Sequence, residues 1–189
     1  MLILLIATHG IVATLLRRLS CLFRQYVANG TSIMIGNAQF DGSHRTKKGG
    51  IRRGDVNRCD VSIAIIFNNI NFKYSNKRVG SLDDEDNLKS TLADIGMGVM
   101  VYRDVNRNTL HRTLQRVAKM NHGKRDCFVC VILSHGGQLE LTQGGEQRMC
   151  DTIECEDGCF VSARELVEYF QDNKAPTLAN KPRLFFVQV

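Results

Sequence analysis

The sequence predicts an α/β domain built on a mainly parallel sheet flanked by helices, and three observations carry that expectation. From Val61 onward, short β-branched apolar runs alternate with segments whose apolar residues recur at helical spacing. One of those runs, Cys127 to Leu133 (CFVCVIL), is apolar throughout, as a central strand covered on both faces must be. The two prolines, Pro176 and Pro182, fall together in one late loop and interrupt none of these segments.

Taken in order, Val61 to Phe67 (VSIAIIF) reads as the first strand of this domain. After a polar loop, Leu88, Leu92 and Ile95 stand at i, i+4 and i+7 and mark one helical face. Val99 to Tyr102 reads as a second strand. Leu110, Leu114 and Val117 then repeat the helical spacing, with Asn108 or Thr109 as the expected cap. Cys127 to Leu133 is the third strand and ends at Ser134-His135-Gly136. Gln138 to Asp151 is polar and glycine-bearing and is expected to be an exposed loop. Ser162-Ala163-Arg164-Glu165 has the form of a capping box opening a helix with Leu166, Val167 and Phe170. Leu184 to Val187 (LFFV) supplies a fourth strand.

A length of 189 residues with 43% apolar content suits one buried core. The net charge of +6 lies wholly in the leader: residues 1–60 hold nine Lys and Arg against three Asp, and the rest holds sixteen of each sign. A neutral body behind a basic, glycine-dotted lead-in (HRTKKGGIRRGD, His44 to Asp55) reads as a folded domain with a solvated tail, not a nucleic-acid binder. The chain therefore divides into a basic leader, residues 1–59, poorly ordered or prodomain-like, and a domain, residues 60–189. The apolar start, Met1 to Leu16, is short for a membrane span and lacks the basic stretch that precedes the apolar run of a signal peptide, so no membrane partner is expected. Seven cysteines without framework spacing indicate free thiols and a cytoplasmic location.

In an open parallel sheet, reactive groups gather beyond the carboxyl ends of the strands, which draws attention to His135-Gly136 and to Gln188. A histidine at a strand end is, by itself, more often structural than catalytic. Cys127 and Cys130 point to opposite faces of a strand and cannot share a metal. Cys150, Cys155 and Cys159 match no familiar zinc spacing, and no phosphate-binding glycine loop is present, so neither a metal nor a cofactor is expected.

Four motifs, in order along about two-thirds of the chain, carry a family resemblance. Val61 to Phe72 (VSIAIIFNNINF) is similar to the first caspase strand and its Asn-Asn-x-Asn-Phe loop. Arg78-Val-Gly80-Ser81-Leu-Asp-Asp84 followed by Asn87-Leu88 resembles the family's Arg-x-Gly-Ser/Thr-x-x-Asp stretch. Cys127 to Gly136 resembles the segment that brings the catalytic histidine to the sheet edge. Lys181 to Gln188 (KPRLFFVQ) is similar to the strand leading into the nucleophile motif Gln-Ala-Cys-Arg-Gly.

The resemblance implies a caspase-like fold, incomplete because the small-subunit strands are absent, and a cysteine endopeptidase that cleaves after aspartate, acting in apoptosis or related signalling and made as a zymogen. His135 would serve the thiol and protonate the leaving amine. The Gly136 N–H would donate to the oxyanion, and Arg78 and Gln188 would line the pocket for the substrate aspartate. A main-chain carbonyl that orients the histidine falls on Asn76. The departure is that the sequence stops at Val189, one position before the expected cysteine and roughly 55 residues after His135, near the spacing of about 50 known for caspases. The chain then reads as a large-subunit fragment, inactive as given, whose bare sheet edge would fold poorly alone. Its partners would be aspartate-containing protein substrates and a caspase small subunit. The alternative is an inactive caspase-like regulator or decoy that binds intact caspases.

Overall fold

In the computed structural model the backbone is described for residues 2–7, 34–35, 38–39, 62–143 and 146–189, and the side chains for 62–140 and 149–189. Among the described residues the leader contributes β1 (Leu2–Ala7), β2 (Met34–Ile35) and β3 (Ala38–Gln39). The domain follows with β4 (Ile63–Asn68), α1 (Ser81–Asp94), β5 (Gly98–Arg103), α2 (Arg107–Ala118) and β6 (Phe128–Leu133). After these come β7 (Gly136–Gln143), β8 (Glu146–Glu154), β9 (Phe160–Ser162), α3 (Ala163–Glu168), a 3₁₀ turn (Pro176–Leu178) and β10 (Arg183–Gln188).

Five strands form the main sheet in the order β1-β10-β6-β4-β5, and every neighbouring pair is parallel. Because strand side chains alternate, β4 and β6 split into two apolar sets. Ile63, Ile65, Phe67, Phe128, Cys130 and Ile132 pack with Leu110, Leu114 and Val117 of α2 and with Leu166 and Val167 of α3. Ala64, Ile66, Val129, Val131 and Leu133 pack with Leu88 and Leu92 of α1 on the other face. Cys127 and Cys130 accordingly belong to opposite faces. On the first face the rings of Phe128 and Phe170 stack at 4.4 Å, and Phe185 stands edge-on to Phe170 at 5.4 Å. Each such buried side chain stabilises the fold by about 2–3 kcal/mol through area removed from water.

Three local expectations from the sequence change within residues 106–162. The second helix is capped by Asn106, whose side chain accepts from the Thr109 N–H at 2.8 Å, two residues before the expected cap. Ser162, also the last residue of β9 and paired with Thr152, is the N-cap of α3 but makes no side-chain capping bond. The expected loop Gln138 to Asp151 lies instead in the hairpin of β7 and β8, antiparallel from Gly136↔Ile153 to Gln143↔Glu146, with β9 completing a small sheet. The register leaves residues 144–145 as a two-residue connection, for which Gly-Gly is a suitable sequence; that connection lies outside the described residues.

β1 pairs residue for residue with β10, from Leu2↔Arg183 to Ala7↔Gln188, so the edge expected to be bare carries a strand of the chain's own leader. An uninterrupted apolar hexapeptide, LILLIA, supplies the backbone partners that the outer side of β10 needs. The rest of the leader lies outside the described residues. Among the described residues no helix is long and apolar enough to cross a membrane.

Candidate active site

Parallel register places Arg103, Asn68, Leu133 and Gln188 in one row across the carboxyl end of the sheet. The segments that leave this row build a cavity of about 470 Å³ lined by Lys77, Arg78, Val79, Gly80, Asp84, His135 and Gln188. Three of the four site residues expected from sequence, His135, Arg78 and Gln188, meet there, and Gly136 adjoins His135 at the start of β7.

Arg78 is almost wholly buried. Its Nη1 donates to Ser81 Oγ at 2.9 Å and to Asn68 Oδ1 and the Asn69 carbonyl at 3.2 Å each. Its Nε–H is buried without a partner in the structure. Burial draws the guanidinium pKa down and the Asp84 charge opposes this, but an arginine remains charged in either case. A cation held in a cavity wall is suited to a carboxylate. Gly80, the next residue but one, has φ +80° and is the N-cap of α1, so the turn that swings Arg78 inward needs a residue tolerant of left-handed backbone.

His135 is held differently. Its Nε2 lies 2.7 Å from the Asn76 carbonyl, which can only accept, so Nε2 carries the hydrogen and Nδ1 is left as the acceptor in the neutral ring. The Phe72 ring packs on it at 4.6 Å. Gly136 is required by space: a Cβ there would lie 2.1 Å from the Thr152 carbonyl oxygen. The Glu154 N–H donates to the His135 carbonyl, which makes 136/153 the non-hydrogen-bonded pair of the ladder and turns the Gly136 N–H away from β8.

The loop between β4 and α1 joins both sides. Asn69 donates to Ser134 Oγ and to the Glu154 carbonyl while accepting from the Val105 N–H. Asp104 accepts from the N–H groups of Ile70 and Asn71 at 2.7 and 2.9 Å. Ser75 donates to the Glu154 carboxylate. Sequence reasoning left Asn68, Glu85, Arg103 and Asp104 without roles; the signal for the first was a polar pair, Asn68-Asn69, ending an otherwise apolar strand.

The caspase domain family model matches residues 61–189. The chain belongs to the caspase family. It is 33% identical over 134 residues to caspase-8 of Rattus norvegicus, covering 66% of this chain and 25% of that protein. To caspase-3 of Xenopus laevis it is 30% identical over 150 residues, covering 78% and 49%. The solved structure of pro-sf-caspase-1 matches with a TM-score of 0.59 and 30% identity, over 68% of this chain and 50% of that one. This caspase-family chain thus has the caspase-like α/β fold and spans between a quarter and half the length of the relatives cited.

Proposed function

We propose that this chain carries the proton-transfer and aspartate-recognition half of a caspase-type cysteine endopeptidase. The observation that carries the reading is the buried guanidinium-bearing Arg78 in the wall of the cavity that His135 also lines. A substrate aspartate accepts from Arg78, with Gln188 alongside. A cysteine thiol brought to this cavity gives its proton to His135 Nδ1, and its sulfur attacks the carbonyl carbon while the carbonyl oxygen takes the charge near the Gly136 N–H. The C–N bond breaks as His135 returns the proton to the departing amine, and water hydrolyses the thioester. Caspase small subunits are the partners this reading requires, and aspartate-containing proteins are its substrates. The free thiols Cys127, Cys130, Cys150, Cys155 and Cys159 suit a reducing cytoplasm.

The test is a titration of the full chain with N-acetyl-aspartate N-methylamide and its asparagine counterpart, followed by NMR. Preference for the aspartate form, lost in Arg78→Leu, supports the reading; equal binding of the two amides overturns it. A non-catalytic regulator would use the same surface. That second reading rests on the same set of residues, Arg78, His135 and Gln188, being kept together in one cavity. Its test is association with a full-length caspase at micromolar concentration, and no association would count against it.

A further inference from the structure

Glu85 lies on α1 one turn after Ser81 and has no exposed side-chain area. Outward, it takes both branches of the half-exposed Arg103 guanidinium, Nε at 2.9 Å and Nη2 at 2.8 Å. Inward, its Oε2 accepts from Asn68 Nδ2 at 3.0 Å. Asn68 then presents Oδ1 to Arg78 Nη1 and to the Ser81 hydroxyl. A line of hydrogen bonds therefore runs from the sheet edge at Arg103 to the wall of the cavity.

We infer that Glu85, acting through Asn68, is the positioning residue that fixes the orientation of the Arg78 guanidinium. An asparagine amide has nearly the same shape either way round, so its neighbours decide which end faces the arginine. A carboxylate only accepts, and Glu85 therefore holds the NH₂ end of Asn68, with help from the Ser81 carbonyl. The oxygen end is left for Arg78. The reversed amide would set donors against donors.

The inference rests on the reading of Arg78 as the aspartate-binding residue, and two separate measurements keep the failures apart. In full-length chain labelled at arginine nitrogens, the parent is expected to show distinct Arg78 Nη signals, because three acceptors on Nη1 hinder rotation about the Nε–Cζ bond. Glu85→Leu is expected to merge those signals and to weaken N-acetyl-aspartate N-methylamide binding about tenfold. Glu85→Gln keeps an accepting oxygen and is expected to retain both within about twofold. If the Arg78 signals stay distinct in Glu85→Leu, the inference is wrong. If the parent does not prefer the aspartate amide, the pocket reading fails, while the Arg78 signals still decide the part played by Glu85. Should Glu85→Leu not fold, Glu85→Ala, which puts no larger apolar group beside Asn68, serves instead: merged Arg78 signals support the inference and distinct signals overturn it.

Discussion

Arg78 and His135 line one cavity but are anchored by opposite strategies. The guanidinium is almost wholly buried and makes three hydrogen bonds through Nη1 alone, to partners that are themselves buried and cross-linked. The imidazole is half-buried, with one hydrogen bond to a loop carbonyl and one ring contact. In the proposed function, recognition is thus built into the sheet and the start of α1, whereas the group proposed to carry the proton depends on where the loop holding Asn76 is fixed. A carboxylate-binding group gains from being rigid, since fewer arrangements are lost on binding. A proton carrier has to serve more than one atom in turn.

The most damaging way to break the rigid side is Asn68→Leu. The substitution removes the oxygen that accepts from Arg78 and Ser81 and the amide that donates to Glu85. It leaves a buried cation and a buried anion each short of a partner, at a cost of roughly 3 kcal/mol. The midpoint of urea unfolding should fall accordingly, with the slope unchanged.

Asp104→Ala attacks the loop that links the two sides. Burial pushes the Asp104 carboxyl pKa up, but donors from Asn71 and Ile70 outweigh it and hold the value below 3.8. A depressed carboxyl stabilises the folded state above its unfolded pKa, and this contribution is lost as pH falls through the folded value. At neutral pH the variant should lose about 1–2 kcal/mol for three hydrogen bonds at a partly exposed site. The difference between parent and variant should shrink in unfolding measurements carried below pH 3.8. Because residues 70–76 lie in one loop, the variant should also loosen the His135–Asn76 bond, visible as increased motion of the His135 ring by NMR.

How much of this was readable beforehand follows from which signals are local. The strands β4, β5, β6 and β10 and the helices α1, α2 and α3 announce themselves because each carries its own apolar period. The β7–β8 hairpin does not. Its exposed Leu139 and Met149 give little apolar contrast, and its Gly-Gly connection reads as loop unless the paired strands are already suspected. β1 is invisible for a different reason: only the open edge of β10, 176 residues later, gives that hexapeptide a partner. At the site, motif resemblance singles out Arg78, His135 and Gln188, residues that line the cavity. Glu85 reads as one more acid on a solvated helix face (SLDDEDNLK), and only the register of Arg103 against Asn68 shows that it is enclosed.

His122 sharpens the contrast with His135, since both rings place Nε2 against a main-chain carbonyl, Val117 in one case and Asn76 in the other. His122 is fully buried, and its Nδ1 accepts from Arg125 at 3.3 Å. Burial draws its pKa down, the Val117 bond opposes this, and the Arg125 and Lys181 charges add to the depression. The unfolded chain therefore takes up a proton near 6.5 that the folded chain refuses. Stability should decline as pH falls below that value and level off below the depressed folded pKa. His122→Gln should flatten the profile over this interval, as followed by urea unfolding at a series of pH values.

The smallest expected effect on stability falls at the residue with the largest assigned part in the chemistry. His135→Ala removes one hydrogen bond to Asn76 and the Phe72 contact from a half-buried position, a loss of under about 1 kcal/mol. The Arg78 network shares no hydrogen bond with the ring, so N-acetyl-aspartate N-methylamide should bind the variant as it binds the parent. A fall in affinity comparable to that of Arg78→Leu would mean that the two sides of the cavity are one mechanical unit. Unchanged affinity with near-parent stability would show that the imidazole can be removed without disturbing recognition, which is the arrangement expected when a rigid pocket holds the substrate and a separately hung base moves the proton.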